Sequence, residues 1–200
     1  LLATSAFAAD AFSNVTARWQ KEQKFQDRLG ANLTITCTYY SAEYIEASIQ
    51  QEAQKNLWTQ RETDDYKFSY LKALNLDEMI PINIKFINNG PSMQLGPFDV
   101  LVKLRIGNKV YKHVDYDKRF NFKFQGEKEG LVYFPRFDEK TGKDLLKGAK
   151  TVRLEFSHAI SSTLDSKSPY FLWDVNKDDP SKLYQGKAAD RFESDRLIKR

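Results

Sequence analysis

The feature that most constrains this chain is an apolar alternation running from Ile80 to Tyr116. In IPINIKF, Ile80, Ile82, Ile84 and Phe86 occupy one side of a period-2 pattern, with Pro81, Asn83 and Lys85 on the other. After INNGPSMQLGP, the segment FDVLVKLRI repeats it, with Phe98, Val100, Val102, Leu104 and Ile106 set against Asp99, Lys103 and Arg105. Alternation of this kind places one face of a strand in a core and the other in water. Gly107-Asn108 is a two-residue hairpin signal, because glycine accepts the positive φ of primed turns, and KVYKHVDY follows as the return strand. An antiparallel β core is the expectation, and the rest of the chain is read around it.

Other segments extend the pattern on both sides. Gly30 opens a first strand over Ala31 to Tyr40, with Thr34, Thr36 and Thr38 opposite the apolar set. Phe120, Phe122 and Phe124 alternate, Gly126 and Gly130 bracket a charged turn, and Leu131 to Phe134 forms a short strand ended by Pro135. Asp138 to Gly142 reads as a solvated turn. Val152, Leu154 and Phe156 mark a further strand, and Tyr170 to Val175 the last. Strands at this spacing, separated by turn signals, predict a sandwich.

Helical periodicity is confined to three places. Residues 10–28 form an N-terminal helical arm, with Phe12, Val15 and Trp19 at helical spacing for docking. The insert 42–76 follows the first strand: Ser41 caps a helix carrying Tyr44, Ile45, Ile49 and Ala53, and Thr59 to Glu62 is a capping box before a second helix. In that second helix Tyr66, Tyr70, Leu71 and Leu74 make the apolar stripe, so the pair reads as a helical hairpin joined near residues 56–58. Pro180 starts a closing helix over 180–200. The domain assignment is a remnant of an export signal at 1–9, the arm at 10–28, and one sandwich domain over 29–200.

The opening LLATSAFAAD resembles the tail of a secretory signal, with small residues at Ala6 and Ala8 suiting a cut after Ala8. Export to the periplasm or exterior is the expectation. No apolar run reaches the ~20 residues that a helical membrane span requires. Net charge is +4 over 200 residues, with 31 basic and 27 acidic side chains interleaved, so no basic stripe marks a nucleic-acid interface.

The candidates for chemistry are few, and each has a structural reading beside it. Cys37 is the single cysteine and lies in phase with Leu33, Ile35 and Tyr39, as a buried thiol would. Ser69 to Lys72 spells S-x-x-K and Lys140-Thr141-Gly142 spells K-T-G, the outer elements of penicillin-recognising enzymes, but the intervening S-D-N element is absent. Asp174, Asn176 and Asp178 have the first spacing of a calcium loop, but the glycine position is Asp179 and the bidentate glutamate position is Gln185. His113, Asp115 and Asp117 alternate, offering fewer nitrogen or sulfur donors than zinc favours; the other histidine is His158. No catalytic, cofactor or metal residues are assigned, and no cofactor is expected. Tyr39, Tyr40, Tyr44, Tyr133, Phe134 and Phe137 put rings on both sides of strands, where they can stack on sugars, anchor a peptide, or lie under the helical insert.

The run IPINIKFINNGPSMQLGPFDVLVKLRIGNKVY, with EGLVYFP and TVRLEF after it, resembles the immunoglobulin-like, telokin-type sandwiches of exported bacterial proteins over residues 80–156. The resemblance implies a non-catalytic accessory or binding domain of the cell envelope, with no site residues to carry over. The expected fold is thus mainly β, an antiparallel immunoglobulin-like sandwich with helical additions. The expected role is binding an envelope protein or a ligand. A carbohydrate-binding module using exposed aromatics and a hydrolase with a dispersed site are the alternatives. Oligomeric state is not legible from the residues.

Overall fold

In the computed structural model, residues 12–185 and 191–192 are described. The chain divides into two compact units. Among the described residues, one gathers 12–19, Tyr40–Leu76, 177–185 and 191–192; the other is Gln20–Tyr39 with Asp77–Asn176.

The second unit holds both sheets, and every strand pair in them is antiparallel. Its strands are β1 (Gln20–Gln26), β2 (Asn32–Tyr39), β3 (Met79–Met93), β4 (Val102–Ile106), β5 (Lys109–Tyr111), β6 (Asp115–Tyr116), β7 (Phe124–Pro135), β8 (Thr151–Phe156) and β9 (Tyr170–Asp174). The five-stranded sheet runs β1-β2-β3-β7-β6 and the four-stranded sheet β5-β4-β8-β9. With the helical hairpin after β2, the fold is mixed α/β rather than mainly β. The layers meet through aromatic packing. Phe86 of β3 is fully buried and makes edge-on contact with Phe120 and with Phe156 of β8, both at 6.0 Å. Phe156 in turn meets Phe171 of β9 edge-on at 5.8 Å. Such ring pairs add about 0.5–1.5 kcal/mol each beyond the area they bury.

Several elements depart from the sequence reading. Residues 12–19 are helical (α1), but the arm does not continue to 28: Gln20–Gln26 is an edge strand paired with β2, so the helical insert follows the second strand. Apart from Phe25 the strand is lysine, glutamate and glutamine, so the period-2 apolar signal is too weak to read there. Phe98–Leu101 is one helical turn, α4, preceding the strand it was expected to begin. Phe98 and Leu101 are both buried, which a turn of helix allows and alternation does not. The return strand of the central hairpin stops at Tyr111, and Asp115–Tyr116 joins the other sheet.

Phe120 sits in a 3-10 turn, Lys118–Asn121, and Phe122 is 68% exposed, so the expected Phe alternation is not a strand. Gly126 and Gly130 lie inside β7 rather than around a turn. Gly130 is needed because a Cβ there would come 2.6 Å from the Asp117 Cβ. The INNGP stretch likewise stays within β3, through a bulge between Asn88 and Met93. Buried Asn88 stabilises that bulge by accepting from the Gly90 N–H (3.0 Å) and donating to the Pro91 carbonyl (2.8 Å).

In the first unit, α2 (Ala42–Asn56) and α3 (Gln60–Leu74) form the helical hairpin. Ser41 caps α2, and Thr59 with Glu62 completes a reciprocal capping box on α3. Leu57 ends α2 in the left-handed region at φ 55°, turning the chain within three residues. Trp19 of α1 donates its indole N–H to Glu43 of α2 at 2.7 Å, and Arg18 pairs with the same carboxylate. The Ala42 N–H donates to Asp178 Oδ1 at 2.8 Å. Of the expected closing helix, Pro180–Tyr184 is a 3-10 turn and residues 191–192 are helical, while 186–190 and 193–200 lie outside the described residues, as does 1–11.

Candidate functional site

The outer face of the four-stranded sheet carries the most unusual mixture of side chains. β8 and β9 alternate strictly, so Val152, Leu154, Phe156, Phe171 and Trp173 enter the core while Arg153, Glu155, Tyr170 and Leu172 point outward. Register sets Arg105 beside Arg153 and Leu172 in one row, and Lys103 beside Glu155 and Tyr170 in the next. Glu155 is the hub. It accepts from Arg105 Nε and Arg153 Nε, each at 2.7 Å. The Arg105 contact first, then that from Arg153, holds its carboxyl below the usual range against the opposing effect of burial. Arg153 also places its guanidinium 5.0 Å from the centre of the Tyr170 ring.

Beside this network lies a recess of ≈ 440 Å³, walled by Val100, Pro169 and Tyr170 and edged by Lys103, Arg153, Ser157 and Ser168. Lys103 has neither an ion-pair nor a hydrogen-bond partner among the described residues. The face therefore offers one uncommitted ammonium, two guanidiniums sharing a single carboxylate, and exposed apolar groups: Val100, Tyr170 and Leu172 are each about half exposed. Chemically it can bind an anionic group next to an apolar one. A second recess of ≈ 430 Å³, lined by Ser92, Gln94, Pro97 and Ser161 among others, has no charged side chain.

The residues singled out from the sequence are placed elsewhere and largely committed. Cys37 is fully buried in β2, where burial pushes its thiol well above the ordinary range. Ser69 donates its hydroxyl to the Asp65 carbonyl within α3, whereas Thr141 donates to Asp138 in a turn of the other unit. Asp174 accepts from the Asn176 N–H, and Asp178 accepts from the Ala42 N–H. Phe98 and Tyr116 stack on each other at 4.4 Å, and His113 lies edge-on to both, at 5.0 and 4.8 Å, while Asp115 accepts from Lys118 and Asp117 from Arg119. His158 is exposed in a 3-10 turn. Among the described residues no group of three or more His, Cys, Asp or Glu is placed to hold a metal.

Of the six rings singled out, Tyr39 and Phe134 are buried, Tyr40, Tyr44 and Tyr133 are half-buried, and Phe137 is exposed. Tyr39 packs on Trp173 at 5.8 Å, Phe134 is fully buried, and Tyr40 stacks on Tyr44 at 5.5 Å. Tyr170 was not among the rings singled out. The signal that finds it is the phase of YFLWD, where Phe171 and Trp173 claim the inner side and leave Tyr170 and Leu172 on the outer one.

No family model and no curated protein sequence matches the chain. Among solved structures it is similar to a protein of unknown function from Burkholderia pseudomallei, at 11% identity and a TM-score of 0.45, over 87% of this chain and 89% of that one.

Proposed function

We propose that this is an exported, non-catalytic immunoglobulin-like domain that binds a partner in the cell envelope through the outer face of its four-stranded sheet. The fold reading is supported by strand order. With β1 set aside as an added edge, the sheets run β2-β3-β7-β6 and β5-β4-β8-β9. That is the order A-B-E-D and C′-C-F-G of an immunoglobulin-type sandwich. The helical hairpin then stands between strands A and B. Export rests on the signal-like composition of residues 1–9.

The binding reading is carried by one observation: Lys103, unpaired among the described residues, at the rim of a recess with apolar walls whose neighbouring arginines share one acid. On the opposite sheet, by contrast, Lys85 pairs with Glu127 at 2.8 Å. An unpaired cation beside exposed valine and tyrosine favours a partner with a carboxylate or other anion next to apolar surface. The non-catalytic part of the reading draws on the commitment of Ser69, Thr141, Asp174 and Asp115 to turns and local ion pairs.

The test is a photo-reactive amino acid placed at Val100, in the recess, and separately at Thr36 on the opposite sheet, in cells making the full chain. Irradiation is expected to give a discrete adduct from position 100 that Lys103→Glu removes, and none from position 36. Equal adducts from both positions, or none from position 100, would defeat the reading.

A further inference from the structure

We propose that β9 is a pairing edge for a second copy of this chain, joining two four-stranded sheets about a two-fold axis at Leu172. The argument starts from backbone phase. The Phe156 N–H donates to the Pro169 carbonyl and the Val175 N–H to the Lys150 carbonyl, both at 2.9 Å. Hydrogen-bonded pairs recur at every second residue of an antiparallel ladder. Residues 169, 171, 173 and 175 therefore turn their peptide groups toward β8, and Tyr170, Leu172 and Asp174 turn theirs to the open edge. Gln23 Nε2 takes the Tyr170 carbonyl at 2.7 Å. Leu172 has no hydrogen bond on that side among the described residues, and its side chain is 47% exposed.

The other three sheet edges are guarded. β1, QKEQKFQ, carries two lysines; β6 has two residues; β5 has three and begins with Lys109. β9 has five residues with neither lysine nor proline, and it displays Tyr170 and Leu172. Gln23 engages this edge only at the Tyr170 carbonyl, and the apolar remainder is a template for another strand.

Charge and register favour a copy of itself over a foreign strand. Antiparallel pairing centred on Leu172 sets Leu172 against its mate and Tyr170 against the other copy's Asp174. Arg153 already holds its guanidinium over the Tyr170 ring. The incoming Asp174 carboxylate thus arrives beside an arginine, and symmetry makes that contact twice. Asp174 uses Oδ1 on the Asn176 N–H and keeps Oδ2 for the partner. The pairing edge shares Tyr170 and Arg153 with the Val100 recess but rests on the strand backbone, and its readouts, mass and cross-linking at position 172, are separate from the adduct at position 100.

Sedimentation of the full chain across a concentration series is expected to show twice the monomer mass. Asp174→Arg should return it to the monomer, and adding Arg153→Asp should restore the pair. Leu172→Cys is the geometric test, because Cα atoms of a hydrogen-bonded pair lie about 5.5 Å apart, within disulfide range. Mild oxidation should link Leu172→Cys chains to each other. Val110→Cys, exposed to a similar degree on the β5 edge, should stay monomeric. A monomer at every concentration overturns the proposal, as does linkage no better at 172 than at 110. So does a Leu172→Cys chain that links only to a different protein.

Discussion

At the scale of single residues, His113 is the group whose environment most contradicts its chemistry. Its ring packs edge-on against the stacked pair Phe98 and Tyr116, and its Nδ1 is buried without a hydrogen-bond partner among the described residues. Burial is the main cause that lowers its pKa from the ordinary 6.5; Lys118 and Lys112 add to this, while Asp99 and Asp115 oppose it. The unfolded chain therefore takes up the proton more readily than the folded one. The stability gained by keeping this ring neutral is whole above pH 6.5 and is lost as pH falls through the lowered folded value. His113→Leu is expected to flatten the pH dependence of urea midpoints between pH 7 and 5, relative to the parent chain. Curves that stay parallel over that range would mean that His113 does not titrate as argued. The sequence indicated a candidate ligand here because His113, Asp115 and Asp117 alternate. The alternation was real, but Lys118 and Arg119, immediately downstream, claim the two carboxylates.

At the scale of elements, legibility followed contrast. Ile80 to Phe86, Val152 to Phe156 and the two caps at Ser41 and Thr59 announced themselves because apolar and polar positions differ sharply there. Thr59→Ala removes the acceptor for the Glu62 N–H and half of the capping box. It is expected to cost about 1 kcal/mol, read as a lowered denaturant midpoint at unchanged slope. Elements without contrast were misread. β1 carries a single apolar residue, Phe25, and α4 occupies the first turn of an apparent strand because Phe98 and Leu101, three apart, both seek the core. Gly126 and Gly130 advertised a turn and instead belong to one twelve-residue strand, since Gly130 answers to Asp117, a neighbour distant in sequence. The face carrying Lys103, Arg153 and Tyr170 was legible strand by strand. It was not legible as a site, because its rows exist only once β4, β8 and β9 are in register.

At the scale of the whole molecule, the sheet unit contains a complete ladder and its own aromatic core. A chain of Gln20–Tyr39 joined by a short turn to Asp77–Asn176 is expected to fold by itself. Its one tryptophan, Trp173, is 1% exposed and reports directly. Emission should be that of a buried indole and should shift to longer wavelength in one cooperative step on heating. A water-like spectrum at room temperature would show that the sheets depend on the helices. The helical unit has the opposite character, being assembled from three separated stretches. The carboxylate that meets the first N–H of α2 belongs to Asp178, 136 residues downstream of Ala42. On the ribosome, every strand has therefore been synthesised before that helix can be latched at its start. Nascent chains arrested short of Asp178 would expose a hairpin still waiting for its anchor.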